Sequence, residues 1–133
     1  MIDRIAEAIE GRLKGLEIFK AVERTVTTKI LQSPPSAALF LAYDREKTNT
    51  PTPTRTLGWD ILVLIPAHGA DRGQKTAGDC LDVVREAFIN WRPWTGGGVL
   101  PMEVPEIRME GIEQTMLVYT VRLTLDVMPA NIK

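Results

Sequence analysis

Apolar residues near the N-terminus recur at the spacing of one helix face. Charged side chains fill most of the positions between them, and intervals of three or four residues separate Ile2, Ile5, Ile9, Leu13 and Leu16. Because this interval matches the α-helical repeat, the pattern predicts an amphipathic helix of about four turns. Gly15 is its predicted C-terminal stop.

A second apolar stripe with the same spacing lies in the middle of the chain. Its predicted start is near Asp71, which forms with Gln74 a pair typical of helix N-caps. The stripe consists of Ala77, Cys80, Leu81, Val84, Ala87, Phe88 and Trp91. It predicts a second helix that ends before Pro93, with Trp94 folded back over the helix end and the glycines 96–98 reversing the chain.

The remaining apolar segments predict strands. Residues 37–43 are apolar on both faces, and apolar and polar residues alternate along 117–127. Further strands are predicted at 18–22, at 55–67 and, as an edge strand that tolerates Pro105, at 103–109. The order α-β-β-β-α-β-β predicts a single α+β domain over residues 1–133, with two helices on one face of a four- to five-stranded, mainly antiparallel sheet.

Two segments suggest contacts beyond this domain. Residues 44–56 are polar, with alternating Thr and Pro, and predict a flexible loop that is either disordered or ordered by a partner. Leu62 and Leu64 lie on the outer face of the 55–67 strand, which is more apolar than a solvated face. They need cover either from another chain or from the irregular residues 22–32 folding back.

The charge balance and the short apolar runs argue against two partners, nucleic acid and a membrane. The 133 residues carry 16 Lys and Arg against 17 Asp and Glu. A chain without a basic excess is not expected to bind nucleic acid directly. The longest uncharged apolar run, residues 61–67, is too short to cross a membrane, and the N-terminus lacks the apolar core of a signal peptide. Residence in a cytoplasm is therefore predicted.

The residues that carry chemistry form no recognisable motif. Cys80 belongs to the buried stripe of the second helix, and His68 has no partner at a metal-ligand spacing. The glycines 96–98 precede neither a helix nor a lysine, as a phosphate loop would require. We expect no catalytic residues, cofactor or metal. A small cytosolic ligand-binding domain or enzyme, with a pocket near His68, Trp91 and Trp94, is an open alternative.

Several segments stand out when they are taken in order: IAEAIEGRLKGLEIFKAV, SPPSAALFLAY, CLDVVREAFINW, RPWTGGGVLPMEV and MLVYTVRLTLDV. Together they resemble the tail terminator proteins of tailed bacteriophages. The resemblance is strongest to the version in Mu-like phages and prophages with contractile tails, and it covers nearly the whole chain.

The resemblance implies a ring, usually a hexamer, on the head-proximal end of the tail tube. Such a ring stops tube polymerisation and presents the surface that joins the head, so its partners are the tail tube protein and a head-completion or connector protein. It would be assembled in the host bacterial cytoplasm, without catalysis or cofactor. Another head-tail connector or tail-completion adaptor is the alternative. From exposure, the candidate assembly contacts are Arg45, Lys47, Arg55, Leu62, Leu64 and Trp94.

Overall fold

A computed structural model of the chain describes residues 1–24, 35–47, 54–66, 70–95, 98–113 and 116–128. These residues form two helices and five strands in the predicted α-β-β-β-α-β-β order. The elements are α1 (Ile2–Gly15), β1 (Ala21–Arg24), β2 (Ser36–Lys47), β3 (Thr54–Pro66), α2 (Ala70–Phe88), β4 (Glu103–Glu113) and β5 (Met116–Val127).

The strands form one sheet with β3 at its centre, in the order β1-β2-β3-β5-β4. β1 runs parallel to β2, and the other neighbouring pairs are antiparallel. The predicted α+β class with a mainly antiparallel sheet is therefore confirmed. β5 follows β4 in the chain but lies between β4 and β3, so β4 forms one edge of the sheet.

Both helices pack on the same face of the sheet, here called the helix face. The buried residues of α1 are Ile5, Ala6, Ile9 and Leu13. They share one core with Leu81, Val84 and Phe88 of α2 and with every second residue of β3: Leu57, Trp59, Ile61, Val63 and Ile65. This alternation is the two-residue period of a strand, and it leaves Asp60, Leu62 and Leu64 on the opposite, outer face.

The strands begin and end at different residues from those predicted. β1 lies at Ala21–Arg24 instead of 18–22, and β4 extends to Glu113. The loop predicted over 44–56 is wrong at both ends, since β2 continues to Lys47 and pairs there with Thr54 of β3. Residues 48–53 of that loop lie outside the described residues, as do His68, Gly96, Gly97 and residues 25–32 of the segment proposed as cover for Leu62 and Leu64.

The helix ends also differ from the prediction. α1 does end at Gly15, but Glu17 is the residue that takes a left-handed conformation after it, with φ of 57°. α2 begins at Ala70, which places Asp71 inside the helix and not at its N-cap. It ends at Phe88, before the predicted Trp91, because Asn90 adopts φ of 59° and reverses the chain.

The chain after α2 forms the joint that leads into β4. Asn90 N donates to the carbonyl of Met102 at 2.9 Å, and Met102 N donates to the carbonyl of Trp91 at 2.8 Å. Trp91 lies beyond the helix, yet it still contacts the core with its ring edge-on to Phe88, 5.5 Å between centroids. Gly98 follows with φ of 77°, a left-handed conformation that glycine adopts without steric cost.

Candidate functional site

Both edges of the sheet carry backbone groups without a strand partner among the described residues. β4 is one edge along its whole length. At the opposite side β1 is short and covers β2 only from Ser36 to Leu39. Residues 40–47 of β2 therefore have no strand partner on that side within the described part of the chain, and we call them the free segment of β2.

The β4 edge exposes a row of apolar side chains on the helix face. Ile107, Met109 and Ile112 are register partners of Val121, Tyr119 and Leu117, which belong to or pack against the core. Met109 and Ile112 are nevertheless 50% and 65% exposed. Apolar exposure of this size on an unpaired edge strand is a feature of strands that join another chain.

The outer face of β4 is acidic. Arg108 donates from Nε to Glu110 at 2.5 Å and lies 3.3 Å from Glu106, so these three side chains form a charge network. The hydrogen bonds that Arg108 donates, first to Glu110 and second to Glu106, raise its pKa. The pKa of Glu110 is lowered by the hydrogen bonds that its carboxylate accepts, first from Thr120 and second from Arg108. The carboxylate of Glu110 is thus held in its charged form at neutral pH.

An apolar groove lies beside the free segment of β2. Leu41 is 37% exposed at its edge. The groove has a volume of about 690 Å³ and is lined by Ile2, Asp3, Ala6, Arg24, Leu39, Phe40, Leu41 and Trp59. We call it the α1–β2 groove. An ion pair between Arg24 and Asp3, 2.7 Å from Nη1 to Oδ1, lies at its rim.

The basic residues predicted as assembly contacts lie where β2 ends and β3 begins, at the turn end of the β2–β3 hairpin. Arg45 is exposed, with its guanidinium carbon 5.8 Å from the centre of the Tyr43 ring. Lys47 is the last residue of β2. Arg55 donates twice to Asp44, at 2.7 and 2.5 Å, which lowers the pKa of that carboxyl and raises the pKa of Arg55. Arg55 is therefore already engaged within the chain.

Leu62 and Leu64, the apolar candidates on the outer face, are only 8% and 3% exposed. They lie on the central strand, where the register sets them between Ala38 and Ser36 of β2 and Thr120 and Val118 of β5. Little of their surface is available to another chain. The sequence pattern identified their face of the sheet and offered two kinds of cover, another chain or residues 22–32, and most of that segment lies outside the described residues.

Trp94, the remaining candidate, is half-buried. Its ring packs against the core, and the guanidinium carbon of Arg4 lies 4.1 Å from the ring centre. This cation–π contact joins the segment after α2 to the first turn of α1. The structure therefore does not bring Trp94 together with Arg45, Arg55 and the β2–β3 hairpin in one cluster.

A buried ion pair on the outer face was not predicted from the sequence. Arg122 of β5 donates from Nε and Nη2 to the two carboxylate oxygens of Asp60, at 2.5 and 2.9 Å, and Asp60 is buried. These hydrogen bonds raise the pKa of Arg122. An acidic residue within the apolar run of β3 was the available signal, because a buried carboxylate requires a partner.

Tyr43 packs over Gly58, and this contact gives a test of the outer face. A Cβ at Gly58 would overlap the Tyr43 ring. Gly58→Ala should therefore destabilise the protein by about 1–3 kcal/mol in urea denaturation, as overpacked sites do. Gly78→Ala, at an open position in α2, is the matched control and should be neutral or stabilising. A penalty at Gly58 that persists unchanged in a Tyr43→Ala background would contradict this explanation.

The chemistry at Cys80 fits an inert role. Burial raises the pKa of its thiol to about 11, so the thiol stays protonated at neutral pH.

Within the described ranges, no group of His, Cys, Asp and Glu side chains is arranged to hold a metal ion. None of the helices in those ranges is both long and apolar enough to span a membrane.

Comparisons with known proteins find similarity among solved structures. No model of a protein family matches the sequence, and no curated protein sequence matches it. The chain is similar to a chain of a structure described as the virion of a native gene transfer agent particle, with a TM-score of 0.58 and 14% sequence identity. The match covers 91% of this chain and 92% of that chain. At this identity, the similarity shows a shared fold.

Proposed function

We propose that this protein is a structural component of a virion. The observation that carries the proposal is the fold similarity to a chain of a gene transfer agent virion, which extends over 91% of this chain and 92% of that one. Because the match covers nearly all of both chains, it relates whole domains. A similarity limited to one segment of a larger protein would leave much of one chain unmatched. Fold alone does not define function, so a more specific role must be inferred from the surfaces of the two sheet edges.

Within this class we propose the role of a tail terminator, which forms a ring on the head-proximal end of the tail tube. The sequence segments described above resemble those of tail terminators in their order along the chain, and this resemblance supports the role. The surface supports it as well, because β4 and the free segment of β2 are two different edges on opposite sides of one domain. Contacts between two different surfaces of identical chains generate rings when the rotation closes.

In this role the tail tube protein and a head-completion or connector protein bind opposite ends of the ring. The candidates for these contacts are the described charged residues that lie away from ion pairs and from the two sheet edges. Leu62 and Leu64 are not, because their side chains are buried. A different head-tail adaptor remains the second candidate, since it would use the same fold at another position in the particle.

A tube-capping assay tests the proposal. Tail tube protein from the same genome is polymerised with and without this protein, and the tubes are imaged by negative stain. We expect shorter tubes with additional density at one end only. Tubes of unchanged length and bare ends at saturating protein would contradict the terminator role, and binding to heads but not to tubes would assign the protein to the adaptor class. Neighbouring genes for metabolic enzymes in place of tube, sheath and tape-measure genes would contradict both.

A further inference from the structure

We infer that copies of this chain join head to tail by continuing the sheet, with β4 of one copy pairing with the free segment of β2 of the next. This inference deepens the proposed function and rests on it only for the closure of the copies into a ring. It assigns one occupant, a second copy, to the α1–β2 groove.

The strand directions are compatible with this pairing. β3 is antiparallel to β2, β5 is antiparallel to β3, and β4 is antiparallel to β5. If the sheet continues from one copy to the next with its faces aligned, β4 therefore meets the next β2 in the antiparallel sense. The end of β4 that carries Met109 and Ile112 then lies toward Leu41, and the end that carries Glu103 and Glu106 lies toward Arg45.

The apolar surfaces of the two edges match on the helix face. Ile107, Met109 and Ile112 lie on that face of β4, as shown by their register with core residues of β5. Leu41 lies on the same face of β2, because its register partner is Trp59. Continuing the sheet would place the exposed Met109 and Ile112 side chains against Leu41 and the α1–β2 groove, and it would remove all of them from water.

The charges of the two edges match on the outer face. β4 contains four glutamates and a single arginine, Arg108, and Arg108 lies between Glu106 and Glu110. The free segment of β2 carries Arg45 on the outer face beside Tyr43 and ends at Lys47, whereas its acidic residues, Asp44 and Glu46, lie on the helix face in register with Leu57 and Arg55. On the outer face, the acidic β4 edge and the basic end of β2 attract each other between copies, whereas two β4 edges would repel.

Complementarity within a single chain favours a second copy over an unrelated partner. The two edges agree in strand direction, in the face that carries apolar residues and in charge. A foreign chain would need to match only one edge, so it would not account for the agreement between the two edges of this chain. A head-to-tail contact uses both edges of every copy, so it leaves no unpaired β4 edge in a closed ring.

Light scattering on the full-length protein without tubes tests the inference. Met109→Lys with Ile112→Lys disables the β4 edge, and Leu41→Glu disables the β2 edge. We expect concentration-dependent assembly beyond a dimer for the unsubstituted chain and an apparent dissociation constant raised about a hundredfold or more for each variant. Ile89→Lys, at an exposed apolar position of the α2 end, is the matched control and should assemble normally. Circular dichroism and melting verify that each variant is folded.

Mixing the two disabled variants gives the decisive result. Each retains one intact edge, so a 1:1 mixture should form a dimer and nothing larger. A monomeric mixture, normal assembly of Leu41→Glu, or an unsubstituted chain that stays monomeric at every concentration would overturn the inference. Assembly without tube capping would contradict only the proposed function, and capping by a chain that assembles through other surfaces would contradict only this interface.

Discussion

Replacing Arg122 by methionine is expected to destabilise the protein by about 3 kcal/mol, because the substitution leaves the buried carboxylate of Asp60 without its partner. Asp60 lies in the central strand of the sheet, and both of its carboxylate oxygens accept hydrogen bonds from Arg122. Methionine keeps much of the length and packing of the arginine but supplies neither the charge nor the donors. The measurement is the free energy of unfolding in urea at neutral pH.

The two partners should respond unequally. Arg122 is partly exposed, so in an Asp60→Leu variant its guanidinium can turn to water and the expected cost is about 1 kcal/mol. Combining Asp60→Leu with Arg122→Met should recover most of the stability lost with Arg122→Met alone, since no charge is then left buried. A double variant that costs the sum of both single losses would show that the two side chains do not act as a pair.

The sequence predicted those parts of the fold that depend on local periodicity. In β5, apolar and polar residues alternate from Tyr119 to Val127, and the structure places Leu117, Val121, Leu123, Leu125 and Val127 in the core. In α1, spacings of three and four place Ile5, Ile9 and Leu13 against the sheet. A two-residue or helical period fixes which side chains share a face, whatever the neighbouring elements are.

Contacts that depend on neighbouring strands were not predictable in this way. The polar residues at the ends of β2 and β3 suggested a loop, yet they are paired across strands. Asp44 accepts from Arg55 within the β2–β3 hairpin, and Thr56 donates to Asp126 of β5 at 2.6 Å. Such cross-strand pairs stabilise a strand of polar composition, and they become visible only when the register is known.

The candidate assembly surfaces depend on strand order, which no periodicity encodes. β4 forms an edge because β5 pairs with β3 in its place, and β2 has a free segment because β1 pairs with only four of its residues. Leu62 and Leu64 were correctly placed on the outer face, but the sequence left open whether another chain or residues 22–32 would cover them. Arg45 was identified from its charge alone, whereas Met109 and Ile112 required the strand order.

The end of α2 gives the second large effect: Phe88→Ala should destabilise the protein by about 3–5 kcal/mol in urea denaturation, the usual range for removing a buried aromatic side chain. Phe88 is the last residue of α2, is fully buried, and meets the Trp91 ring edge-on. The truncation leaves a cavity, because the backbone around it is held by the hydrogen bonds of Asn90 and Trp91 with Met102. Ile89→Ala, at the next position but exposed, is the matched control and should stay within about 0.5 kcal/mol of the unsubstituted chain.

Because Trp91 loses its ring partner, its fluorescence should also shift toward that of a hydrated indole in the folded Phe88→Ala variant. Equal losses for Phe88→Ala and Ile89→Ala would mean that helix formation at this end, and not packing of Phe88 between α2 and the sheet, fixes the joint that leads into β4.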